Sequence, residues 1–201
     1  MKRYMLIISL LILGVCVLGV SASAQDVFKI NYFANNVPCA PDETVRIGSP
    51  GTDGTATLCA MIYVFQDDQQ LAECCGCPVT ANGLRTLSVC KDLTSNPLTG
   101  PGTRPVDGVI KIVSATLTGQ AHNFPCDPTS GVTPTPTLRA WGTHIQNKVG
   151  TAYPVTETEF SDATLSEDEL LFNLEEQCSF AQKLGSGKGV CTCGTGDQTP
   201  D

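Results

Sequence analysis

The sequence predicts a mainly β, disulfide-rich domain: an antiparallel β-sandwich or barrel-like fold with one C-terminal α-helix. Three observations point there. Cysteines are dense, apolar and alternating runs are short and broken by Gly and Pro, and only one stretch near the C-terminus has helical period.

The chain opens with Lys2 and Arg3, an almost wholly apolar run from Met5 to Val20, and the small residues Ser21-Ala22-Ser23-Ala24. That order marks residues 1–24 as a cleavable secretion signal, with Gln25 as the mature N-terminus. The apolar run falls short of the ~20 residues of a comfortable membrane span, so no stable span is expected after cleavage. Leu13-Gly14-Val15-Cys16 loosely resembles a lipid-anchor motif, but Val15 suits it poorly and the apolar run continues past Cys16. Residues 25–201 then form a single disulfide-stapled domain, secreted or held at the cell surface, with a periplasmic location also compatible.

Cleavage removes Cys16 and turns eleven cysteines into an even ten. Cys39, Cys59, Cys74, Cys75, Cys77, Cys90, Cys126, Cys178, Cys191 and Cys193 are all disulfide candidates, because exported chains keep their thiols oxidised. Each bridge typically adds ~2–4 kcal/mol. The chain also carries 20 Asp+Glu against 12 Lys+Arg, for a net charge of −8. Nucleic acid and anionic membranes are bound through clustered Lys and Arg, and no such cluster exists here. Eight acids fall between Glu157 and Glu176, a run that ordinarily forms a solvated face.

Along the mature chain, Phe28, Ile30 and Tyr32 alternate with Lys29 and Asn31, the period of a half-buried strand. Residues 38–54 read as turn-rich. Cys59 to Phe65 is a compact apolar strand, Asp67 to Gln70 a turn, and Leu71 to Val79 a strand folding back. Asn82-Gly83 is a hairpin signal, since both residues tolerate positive φ, and it makes Leu84 to Cys90 the returning strand. That register sets Cys75 opposite Cys90 as a candidate bridge, with Cys74 and Cys77 as alternatives. Gly108 to Leu117 and Leu138 to Ile145 are further strands, separated by an extended, exposed Thr/Pro-rich connector, Pro125 to Thr137. Ser166 with Glu169 forms a capping box for a helix over about 167–184, Leu171, Leu174, Cys178 and Ala181 make its inward face, and Gly185 stops it.

No motif fixes a reaction. Cys74-Cys75-Gly76-Cys77 lacks the paired Cys-x-x-Cys spacing of zinc sites, so structural disulfides are the reading and no metal site is assigned. His122 and His144 are the only histidines, and neither lies in a recognisable catalytic setting, so no catalytic residue is named. Gly185-Ser186-Gly187-Lys188-Gly189 follows a helix instead of opening one, unlike a phosphate loop. Gly51-Thr52-Asp53-Gly54 and Asp67-Asp68 offer oxygen atoms to calcium, but neither matches an EF-hand and no cofactor is assigned.

Glu73-Cys74-Cys75-Gly76-Cys77-Pro78, Asn82-Gly83-Leu84-Arg85-Thr86-Leu87-Ser88-Val89 and Asp92-Leu93-Thr94-Ser95-Asn96-Pro97-Leu98-Thr99-Gly100 together resemble a group of small exported, cysteine-rich bacterial proteins. The resemblance continues through Leu165-Ser166, Glu169-Leu170, Cys178 and Gly187 to Cys191 and Cys193. It implies an exported domain and no activity, and it carries over no catalytic or binding residue.

The functional expectation is a non-enzymatic structural or self-assembling extracellular component. It would partner itself by strand addition through Phe28, Ile30 and Tyr32. The rival is a cell-surface binding module for a glycan or small ligand, built on Trp141, Tyr153, Tyr63 or Tyr32. A secreted hydrolase using a spatial carboxylate pair comes third.

Overall fold

The computed structural model describes residues 27–34, 41–51, 57–98, 104–117 and 126–194. The leader, Cys39, Asp53 and His122 lie outside them. The strands are β1 (Phe28–Phe33), β2 (Thr44–Gly48), β3 (Leu58–Gln66), β4 (Leu71–Val79), β5 (Leu84–Ser88), β6 (Gly108–Thr116), β7 (Arg139–Ile145), β8 (Val155–Glu159) and β9 (Ser161–Ala163). A five-stranded sheet in the order β4-β3-β6-β1-β9 packs on a four-stranded sheet in the order β5-β2-β7-β8, and all strand pairs are antiparallel. A C-terminal helix, α1, begins with π-helical turns over Glu169–Glu175 and continues as α-helix over Glu176–Leu184.

β3 shows why the layers stack this way. Its side chains alternate between the two faces, and both faces are apolar. Leu58, Ala60, Ile62 and Val64 point between the sheets, where they meet Val45, Ile47, Leu87 and Ala140 of the smaller sheet. Cys59, Met61, Tyr63 and Phe65 point the other way, toward Leu170, Leu174, Cys178 and Ala181 of α1. The larger sheet is therefore buried on both faces, whereas the outer face of the smaller sheet is open. A continuous apolar run such as Cys59–Phe65 is what a strand in that middle layer requires.

Disulfides fix the layers to one another. β4 carries three of them, and period two sends them to different places. Cys74 faces outward and bonds Cys178 of α1. Cys75 and Cys77 face the inter-sheet core and bond Cys191 and Cys193 of the C-terminal tail. Cys59 on β3 bonds Cys126. Cys90 is also disulfide-bonded, to a residue outside the described ones. The tail runs parallel to β4 along its outer edge: the Cys74 N–H donates to Gly189 O, and the Cys191 N–H donates to Cys74 O. Gly76 is needed where Cys126 crosses, since a Cβ there would lie 2.1 Å from the Cys126 carbonyl oxygen.

Several expectations need correction. β4 and β5 do not form a hairpin: β4 pairs with β3, β5 pairs with β2, and Asn82-Gly83 carries the chain from one sheet to the other. Asn82 does take the positive φ of a tight turn, at 57°. Turn chemistry alone does not say whether the strands on either side pair or part. Cys75 consequently bonds Cys191, not Cys90. The stretch read as turn-rich also contains a strand, β2, whose Val45 and Ile47 are buried in the core. The described part of the Pro125–Thr137 connector, residues 126–137, is not simply exposed. Cys126 and Val132 are buried, Pro128 O accepts the Tyr63 hydroxyl, and residues 133–135 bond to β6. On α1, Leu170 replaces Leu171 on the inward face, because the wider π-helical turns change the spacing from 3.6 residues.

Peptide mapping of the mature protein should recover Cys59–Cys126, Cys74–Cys178, Cys75–Cys191 and Cys77–Cys193, with Cys39 as the one mature cysteine left for Cys90. Replacing Cys74 and Cys178 together by Ala should cost about 2–4 kcal/mol in urea unfolding and loosen α1. Finding Cys75 linked to Cys90 would refute the arrangement of the two sheets.

Candidate functional site

The aromatic residues expected to gather into a platform are dispersed. Tyr63 is fully buried, with its hydroxyl donating to Pro128 O at 3.0 Å. Burial, reinforced by the nearby Glu175 and Asp127 carboxylates, pushes that phenol far above its ordinary pKa. Tyr32 stacks on His144 with ring centroids 4.2 Å apart. Tyr153 lies beneath the Lys148 ammonium. Trp141 is half-buried on the open face of the smaller sheet, between Arg46 of β2 and Glu159 of β8. These four do not form one surface.

His144 is buried between the sheets. Its Nε2 lies 2.7 Å from the Thr158 hydroxyl, and Nδ1 has no hydrogen-bond partner among the described residues. A hydroxyl beside a histidine becomes a nucleophile when a third group orients the ring. No described carboxylate reaches Nδ1, and Tyr32 covers the ring face.

The acids between Glu157 and Glu176 are scattered rather than convergent. Glu157 pairs with Arg46, Glu159 with Arg139, Asp162 with Lys29 and Glu169 with Lys111. Glu175 accepts the Val132 N–H. In the β3–β4 turn, Asp68 Oδ1 accepts the Gln70 N–H, an ordinary Asx-type turn contact. The sulfurs of Cys75, Cys77 and Cys193 lie within 4.8 Å of one another, as two neighbouring disulfides must on one face of a strand.

A concave surface lies between α1 and the β3–β4 turn, apart from a smaller hollow of about 100 Å³ lined by Pro78, Arg85 and Cys193. Two adjoining hollows of about 480 and 420 Å³ share Gln69 and Gln177. The β3–β4 turn forms one wall, closed by the Gln66 N–H donating to Gln70 O and the Gln69 N–H donating to Gln66 O, with Gln69 at φ 69°. The other wall is α1, held to β4 by Cys74–Cys178. At one end Lys111 sits 2.6 Å from Glu169 and 4.7 Å above the Phe65 ring. Burial alone would raise the Glu169 pKa, but hydrogen bonds from Lys111 and Asn173 bring it below the ordinary value. At the other end Phe172 and Phe180 are 60% and 58% exposed, flanking Leu98 and Leu71. The sequence signal for this site was present: Phe172 and Phe180 fall outside the inward stripe of the helix. Only the fold shows that they flank a hollow.

A buried acid lies behind the loop that contacts the tail. Glu73 on β4 is fully buried, and its Oε1 accepts the Asn96 N–H at 2.6 Å. Asn96 in turn donates to Gly187 O and accepts from the Gly189 N–H. Burial pushes the Glu73 carboxyl up to about 8, despite the Asn96 hydrogen bond and the Arg104 and Lys188 cations.

Comparison with protein-family models, curated proteins and solved structures returns no match, so these residues inherit no activity from a relative.

Glu73 gives a pH prediction. The folded chain holds a proton that the unfolded chain releases above pH 4.5, so stability is fully present below that value and is lost as pH rises through about 8. Within that window the slope should approach about 1.4 kcal/mol per pH unit. Glu73→Gln should flatten the slope in urea titrations, and an unchanged slope in the variant would remove Glu73 as its source.

Proposed function

We propose that this chain is a non-enzymatic binding module, exported from the cytoplasm, in which a covalently braced β-sandwich displays a ligand-recognition groove. The groove along α1 is the observation that carries the reading. It is a concave, amide-lined surface whose helical wall is bolted to the sheet by Cys74–Cys178. Rigid walls reduce the entropy lost on binding, which is what a preformed site requires.

Three further considerations support this reading. Dense pairing of cysteines belongs to oxidising compartments, in keeping with the signal-like residues 1–24. No described helix is long and apolar enough to cross a membrane. Among the described residues, no group orients His144 through Nδ1 as nucleophilic catalysis needs.

The structural, self-assembling reading stands second, and its means of assembly changes. Phe28, Ile30 and Tyr32 lie on β1, which pairs with β6 along its whole length and with β9 only at Phe28–Ile30, so Phe28 and Ile30 sit inside the sheet and strand addition there is left to the Asn31–Phe33 end. The observation favouring assembly is β8, an edge strand with all five residues exposed. Its length and its two glutamates are features that blunt an edge against pairing.

Native mass spectrometry of the mature, oxidised protein should give a monomer, recovered outside the cytoplasm in cell fractionation. A ladder of multimers that Glu159→Pro abolishes would replace the binding module with the assembling component, because the Glu159 N–H points away from β7. A reduced protein confined to the cytoplasm would end both readings.

A further inference from the structure

We infer that the groove between α1 and the β3–β4 turn binds a neutral oligosaccharide, with Phe172 and Phe180 as stacking platforms and Gln69, Gln70 and Gln177 as hydroxyl-reading groups. The inference rests on the binding-module reading and specifies its ligand.

The chemistry comes from what the walls offer. Gln69, Gln70 and Gln177 line the hollow at Phe172, and no intrachain hydrogen bond engages their carboxamides among the described residues. A carboxamide presents an acceptor oxygen and two donor hydrogens in one plane. Three of them suit a ligand whose own groups are both donors and acceptors, as hydroxyls are.

The apolar component is equally specific. Phe172 and Phe180 lie eight residues apart on the same helix, roughly two turns along it. Both line the same hollow and both are more than half exposed. Two large apolar side chains left beside water next to unpaired carboxamides fit a ligand with an apolar face and a hydroxylated rim. A pyranose ring is such a ligand: its axial C–H groups pack on an aromatic face while its equatorial hydroxyls reach outward.

Charge argues against an anionic ligand. Lys111 and Glu169 satisfy one another at 2.6 Å, so neither is left to seek a charged ligand group. The remaining charges at the groove, Asp67 and Glu176, are both negative, on a chain of net charge −8. An acidic polysaccharide would be repelled. A peptide bound by strand addition needs an open backbone edge, and these walls are a helix and a turn.

The test is titration calorimetry of the mature, oxidised protein with neutral hexasaccharides of glucose, mannose, xylose and N-acetylglucosamine. Hexamers of glucosamine and galacturonic acid and a random peptide pool serve as comparisons. At least one neutral hexamer should bind, and Phe172→Ala and Phe180→Ala should each weaken it about tenfold. Gln177→Ala should weaken it as well. Each exposed-residue variant should keep the parental melting temperature and disulfide map, which separates lost binding from lost fold. Binding only to the charged hexamers or to peptides overturns the assignment of a neutral oligosaccharide and leaves the binding module intact. Silence toward all probes, with a multimeric native mass, overturns both. Silence from a monomer, or neutral binding that survives the Phe172 and Phe180 variants, overturns the assignment to this groove.

Discussion

The three disulfides of β4 are the constraint on which the rest of the structure depends. A strand's side chains alternate, so the adjacent pair Cys74 and Cys75 cannot serve the same layer, whereas Cys75 and Cys77 must. The outward bond holds α1, and the two inward bonds hold the tail against the sandwich core. These bonds close loops of 104 and 116 residues, so they restrict most of the chain between β4 and the C-terminus in the unfolded state. They also cover an edge. The tail occupies the outer side of β4, which would otherwise expose unpaired backbone groups at the end of the larger sheet.

Buried acids complete what the disulfides begin. Glu43 is almost fully buried, accepting the Ala34 N–H beyond β1 and the Ile145 N–H at the end of β7. It therefore ties one sheet to the other with a single side chain. Glu73 does comparable work for the loop that grips the tail, but with a carboxyl that keeps its proton at neutral pH. Lys29, buried inside the sandwich, reaches Asp162 on the neighbouring strand. Glu43 and Lys29 are tolerated because backbone or opposite charge meets them, whereas Glu73, whose Oε2 has no partner among the described residues, is tolerated as a neutral acid.

The fold class was legible because each element reports its own environment. The alternation in Phe28–Phe33, the unbroken apolar run of β3 and the period of α1 all follow from which faces are buried. Partnership was not legible to the same degree. Asn82-Gly83 specifies a tight turn, and the same turn serves a hairpin or a crossing between sheets. β2 was hidden because five residues between prolines and glycines carry only two apolar side chains, Val45 and Ile47. β8 reads as a charged run because both its faces are wet. The cysteine pairs needed the three-dimensional register, since sequence gives parity but not proximity.

The groove illustrates the same division. A helix that only covers a sheet needs one apolar stripe, and Leu170, Leu174, Cys178 and Ala181 supply it in full. Phe172 and Phe180 add nothing to that stripe and expose apolar surface that a purely covering helix would replace with charge. Their presence opposite a turn rich in glutamine is therefore not explained by folding. The bond from Cys178 bears on this point: it fixes the helix from its buried side and leaves the opposite shoulder facing the turn. A wall braced from behind can keep a hollow open against hydrophobic collapse, which would otherwise draw two phenylalanines onto Leu71 and Leu98. The covalent framework and the concave surface are thus parts of one arrangement, in which stability at β4 permits exposure at α1.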